Sequence, residues 1–127
     1  MKENVGVLNI PENRKKPVVI DLPGHERIQY KCLDSAMGII YVLDAATITK
    51  GIRDATEFLF RILSDPTIHS NRTPVLVICN KQDMTLAKRS KVIQRELAKE
   101  IGLLRDTQAG TLQGTDGSTL DHIFLYP

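Results

Sequence analysis

Three apolar runs in this chain stop on a polar residue, and that repetition limits the folds open to it. The runs are Pro17-Val18-Val19-Ile20 before Asp21, Gly38-Ile39-Ile40-Tyr41-Val42-Leu43 before Asp44, and Pro74-Val75-Leu76-Val77-Ile78-Cys79 before Asn80. Each is short, nearly continuous and rich in β-branched residues, the pattern of a strand buried on both faces. Between the second and third runs, Ile52, Ala55, Leu59, Ile62 and Leu63 recur at helical spacing. That spacing gives one apolar helix face. Thr47 to Lys50 offers residues that can cap its start. Ser64-Asp65-Pro66 ends it, because proline lacks the N–H and clashes with the preceding turn. After the third run a second helix is expected over roughly 87 to 104, with Ile93, Leu97, Ile101 and Leu104 on one stripe. Strands alternating with helices define an α/β fold on a mostly parallel sheet. Right-handed crossovers would place helices on both faces.

The remaining segments complete this plan. Val5 to Ile10 reads as another strand, and the polar link Pro11 to Lys16 joins it to the Pro17 run. So short a link is most simply an antiparallel hairpin at the sheet edge. Residues 27 to 34 suggest a short helix, and Thr67 to Thr73 a polar loop. From Asp106 to Ser118 the chain is rich in Gly, Thr, Ser and Asp, too polar to offset its ordering entropy. The apolar end from His122 to Pro127 is too short to form an element unaided. The expected division is therefore a folded part over 1–104 and a disordered tail over 105–127.

Composition excludes several functions. The 127 residues carry a formal charge of +2, with acids and bases interleaved, so no nucleic-acid footprint is expected. Trp is absent and aromatics make up 5%, which leaves little for stacking single-stranded bases. Cys32 and Cys79 have no Cys-x-x-Cys or His-rich spacing and read as reduced core residues. No apolar run is long enough to cross a bilayer and no signal-peptide pattern opens the chain, so membrane residence would need further sequence. His69 and His122 fall in expected loops and read as surface residues. The charged residues from Lys88 to Glu100 fit a solvated helix surface, or a face for an acidic partner.

The chemistry lies at the ends of the runs. In a parallel sheet these ends share one edge, where open α/β folds bind ligands. Asp21 is followed by Pro23 and Gly24. An acid can hold a cation directly or through water, and a glycine N–H can approach a phosphate oxygen; the same residues also suit an ordinary turn. Asn80-Lys81-Gln82-Asp83 has the residue types a guanine pocket needs. A carboxylate at Asp83 can accept two parallel hydrogen bonds from a ring N–H and an exocyclic amine, which guanine presents and adenine does not. Asn80 can donate to the base or brace neighbouring loops, and Lys81 can lay its methylene stem across the ring. The alternative is a polar strand-to-helix turn in which Asp83 caps the helix.

Asp21-Leu22-Pro23-Gly24-His25-Glu26, Asp44-Ala45-Ala46-Thr47 and Cys79-Asn80-Lys81-Gln82-Asp83 together resemble the small GTPase fold. Within it the chain is similar, over about 5 to 104, to the beta subunits of the signal recognition particle receptor, a branch akin to the Arf and Sar GTPases. His25 favours this branch, since Arf and Sar proteins carry Gln there. The resemblance implies that Asp21 reaches Mg²⁺ through water and that the Gly24 N–H meets the γ-phosphate of GTP. It implies that Asn80, Lys81 and Asp83 read guanine. His25 stands where other GTPases keep the water-orienting residue, and residues 27 to 34 would be a switch ordered by the γ-phosphate. Membership implies an endoplasmic reticulum location on the cytosolic face. It also implies partnership with the alpha subunit of the same receptor and, indirectly, with the ribosome and the translocation channel.

The chain also departs from that family. It contains no G-x-x-x-x-G-K-[ST], so the phosphate cradle, its Lys and its Mg²⁺-binding hydroxyl are missing. The family's first strand and helix, its membrane span and its last base loop are not found either. The expectation is a partial P-loop NTPase domain, an internal piece of a longer protein, that binds GTP poorly. Two other readings stay open: a nucleotide-free pseudo-GTPase adaptor, and an Arf-like or Sar-like trafficking GTPase.

Overall fold

The computed structural model describes residues 4–12, 16–22, 32–109 and 123–126. They fall into two compact units, Met1–Cys32 and Leu33–Pro127.

The first unit is a hairpin. Strands β1 (Asn4–Val7) and β2 (Val18–Asp21) pair antiparallel, with Asn4 opposite Asp21 and Val7 opposite Val18. Leu8 N–H extends the ladder to the Pro17 carbonyl at 3.0 Å. The hairpin is as expected, but its burial is not. Val5, Val7, Val18, Val19 and Ile20 are all exposed. The apolar run in β2 carries the signature of a doubly covered strand, whereas among the described residues it has one strand neighbour. Among the described residues the hairpin forms a two-stranded sheet of its own.

The second unit holds the core. Strands β3 (Ile39–Asp44) and β4 (Val75–Asn80) pair in parallel and in step, Ile39 with Val75 through to Asp44 with Asn80. Between them run helices α1 (Ile48–Leu63) and α2 (Pro66–Asn71). Helix α3 (Ser90–Ala109) follows β4. Strand β5 (Ile123–Tyr126) then pairs parallel with β4, Val75 opposite Ile123. The sheet order is β3-β4-β5.

Period-2 alternation decides what this sheet buries. Leu43, Val75, Val77 and Cys79 lie on one face and pack with Leu59, Phe60 and Leu63 of α1 and Ile93, Leu97 and Ile101 of α3. Tyr41, on the same face, stacks on Phe58 with ring centroids 5.6 Å apart and donates its hydroxyl to the Ala55 carbonyl at 2.9 Å. Burial pushes that phenol up to about 12, since a phenolate there would lose its hydration. Ile40 and Val42 alternate to the opposite face and are 62% and 56% exposed. Both long helices lie on the first face, so cover of the second face, expected from the crossovers, is not found among the described residues.

Three segments depart from expectation for identifiable reasons. Asp65 precedes a proline, which excludes the helical ψ, and it adopts φ −63°, ψ 126°. That break lets its carboxylate accept from Thr67 N–H at 2.9 Å and Ile68 N–H at 3.2 Å. Pro66 stands at the first helical position, where its missing N–H costs nothing. The expected loop 67–73 therefore begins as α2, closed by Arg72 in the left-handed region at φ 51°. Replacing Asp65 by Ala removes both cap bonds and should cost about 1 kcal/mol, read as a lower urea midpoint with an unchanged slope.

Second, α3 starts at Ser90 and runs past 104 to Ala109, so 105–109 are helical. Third, β5 forms because β4 supplies its hydrogen-bonding partner, so 123–126 are not a disordered tail. Residues 110–122 lie outside the described residues, as do 23–31, which hold most of the expected short helix.

Candidate functional site

The site is the turn that leaves β4. Asn80 is the last strand residue, and its carbonyl accepts from Ala45 N–H at 3.0 Å. The next residue, Lys81, has φ 62°. A non-glycine residue in the left-handed region costs about 1 kcal/mol. Such positions concentrate at functional turns. The kink turns the chain away from the sheet, and residues 80–83 are all exposed.

The loop is braced from within. Met84 N–H reaches the Lys81 carbonyl at 3.1 Å, and Ala87 N–H the Met84 carbonyl at 3.0 Å. The Gln82 amide donates to the Lys88 carbonyl at 2.9 Å. Lys88 N–H in turn reaches the Ala45 carbonyl at 3.0 Å, which ties the loop to the turn after β3. The Lys88 ammonium meets Glu96 of α3 at 2.6 Å. Part of the charged run from Lys88 to Glu100 is thus consumed internally, while Arg89, Lys91, Arg95 and Lys99 stay exposed.

Lys81 is held at its tip. Its Nζ donates to Asp44 Oδ2 at 2.7 Å, the two side chains being 54% and 32% exposed. The other Asp44 oxygen accepts from Ala46 N–H at 2.9 Å. The hydrogen bond from Lys81 lowers the Asp44 carboxyl below its ordinary value, with burial opposing. The same bond is the main cause that raises the Lys81 ammonium, and the Asp83 charge adds to it. By linkage the pair stabilises the fold above the ordinary carboxyl range and below the ordinary lysine range. The contribution fades as pH falls through the lowered Asp44 value or rises through the raised Lys81 value.

Asn80, Lys81 and Asp83, the expected base readers, share one exposed loop. Among the described residues no hydrogen bond or ion pair takes up the Asp83 carboxylate. The alternative that Asp83 caps the following helix does not hold, because that helix begins at Ser90. Asp21 ends β2, exposed, in the other unit. Gly24 and His25 lie outside the described residues. Among the described residues no three His, Cys, Asp or Glu side chains gather to hold a metal. One exposed carboxylate suits Mg²⁺ only in its usual mode, with water and phosphate completing the shell. No helix among the described residues is long and apolar enough to cross a membrane. Cys79 is buried in β4, where desolvation raises its thiol; inert core packing fits it.

Asp44 and Gln82 were read from the sequence as parts of their motifs, with no role of their own assigned to either. Asp44 had a usable signal: parallel strands in step bring their ends together, so the acid closing β3 must neighbour the residue after Asn80.

The parallel sheet with its packed helices gives an α/β architecture of the kind small GTPase domains share. The family model "Signal recognition particle receptor beta subunit" matches residues 1–125. The mouse signal recognition particle receptor subunit beta is 34% identical over 92% of this chain, and the human one 35% over the same share. Each match covers 45% of the relative, so the chain spans about half the length of these proteins. A solved structure of the mammalian SRP receptor superposes with a TM-score of 0.82 at 31% identity, covering 99% of this chain and 73% of that one. The SRb-GTP/SRX complex from Chaetomium thermophilum gives 0.74 at 19% identity, covering 98% and 65%; at that identity it speaks for the fold alone. The chain belongs to the signal recognition particle receptor beta subunit family.

Proposed function

We propose that this chain is the base-reading part of a GTP-binding receptor beta subunit that docks the alpha subunit of the same receptor. The observation that carries this is the exposed loop 80–83, with Asp83 unengaged beside a fixed Lys81. Asn80 and Asp83 would meet the edge of guanine, and the Lys81 stem its face. Asp21 would hold Mg²⁺ through water, the Gly24 N–H would approach the γ-phosphate, and His25 would stand beside it. When bound, GTP with Mg²⁺ supplies the charge that orders a switch over 27–34. In this reading the work is done at the cytosolic face of the endoplasmic reticulum, and contact with ribosome and translocation channel runs through the alpha subunit.

The G-x-x-x-x-G-K-[ST] cradle is absent from this sequence, so base contacts must supply most of the affinity. GTP should therefore bind this chain more weakly than micromolar. A second reading is an adaptor that holds its partner without nucleotide. Capture of the alpha subunit on the immobilised chain, with and without GTP and Mg²⁺, separates the two. The GTPase reading expects capture to rise with GTP. Capture indifferent to nucleotide selects the adaptor, and no capture at all contradicts both.

A further inference from the structure

We propose that Asp44 is a positioning residue for the base loop, fixing the Lys81 ammonium at the end of β3 so that its stem is set for a flat purine; this rests on the guanine reading above. The two residues are 37 apart in sequence and meet because β3 and β4 run parallel and in step, Asp44 opposite Asn80. Lys81 follows at φ 62° and sends its ammonium back to Asp44 Oδ2 at 2.7 Å. The carboxylate is itself fixed, since Oδ1 accepts from Ala46 N–H at 2.9 Å. A lysine tip anchored on a strand end loses less freedom when a ring settles on its stem. Ordering a free lysine side chain is among the larger side-chain entropy losses. The strained turn at Lys81 and the Gln82–Lys88–Ala45 hydrogen bonds hold the same loop from its other side.

Asp44→Asn suits the test, because an amide oxygen can still accept from Ala46 N–H while the charge facing Lys81 is gone. The full chain is acetylated with a water-soluble succinimidyl ester, and the rate at each lysine is read by mass spectrometry. A paired ammonium releases less free amine, tenfold less per unit of pKa. Lys81 should therefore acetylate faster in Asp44→Asn, with Lys50 and Lys91 unchanged as fold controls and Asp44→Glu near the wild-type rate. Guanosine is then titrated against the amide signals of 80–83 in both proteins. Shifts that weaken in Asp44→Asn support the proposal. An unchanged Lys81 rate overturns it, and so does a faster Lys81 with an unaltered guanosine response, which would make the pair merely structural. No guanosine response in the wild type refutes the base-loop reading itself, and is seen before any substitution is compared.

Discussion

Leu59→Ala is expected to lower the unfolding free energy of the 33–127 unit by about 3 kcal/mol. Leu59 is buried in α1 within the cluster shared by β3, β4 and α3. Truncation loses the transfer energy of its methyls and leaves a cavity that α1 and α3 close only in part, since both are fixed to the sheet. A loss of this size is a large share of the 5–15 kcal/mol typical of a domain. Ile93→Ala, on the facing stripe of α3, should act similarly. Leu103→Ala, on the exposed side of α3, should stay within about 0.5 kcal/mol. Urea unfolding followed by circular dichroism distinguishes them. Equal effects at Leu59 and Leu103 would mean that Leu59 is not part of the core.

Asp83→Ala is expected to abolish the preference for guanine over adenine nucleotides. The carboxylate is the one group in the loop that can accept both guanine N–H donors at once. Charge-assisted pairs of this kind contribute about 2 kcal/mol, which is more than tenfold in affinity. Because Asp83 takes no part in the hydrogen bonds that brace the loop, its removal should leave the fold intact. Competition between GTP and ATP on the wild type and the variant reads the effect. An unchanged preference in the variant would place base recognition elsewhere.

How much of this was legible in the sequence follows from what each signal depends on. The strand ends at Asp21, Asp44 and Asn80 were readable because apolar runs and their polar stops are local. The burial of β2 was not, because period and composition report the surroundings a strand suits and not those it has. Helix α2 was hidden by a double meaning. Asp65-Pro66 stops α1 and also caps and starts the next helix, and only the stop was read. Strand β5 could not be seen locally, since a four-residue strand takes its stability from the ladder with β4. The Asp44–Lys81 pair depends on parallel register, which the sequence implied but which no window of neighbouring residues displays. The polar residue types at Asn80, Lys81 and Asp83, on which the guanine proposal rests, were readable as chemistry. That Asp83 stays unengaged, and that Gln82 braces the loop, became visible only with the turn in place.

The central proposal is that the loop after β4 recognises guanine. Its most direct test is the set of amide shifts of residues 80–83 as GTP or ATP is titrated into the isotope-labelled chain in Mg²⁺ buffer. The predicted result is weak binding in which GTP moves these signals at a concentration at least about tenfold below that needed for ATP. Equal responses to the two nucleotides, or no response at 80–83 while other residues shift, would contradict it.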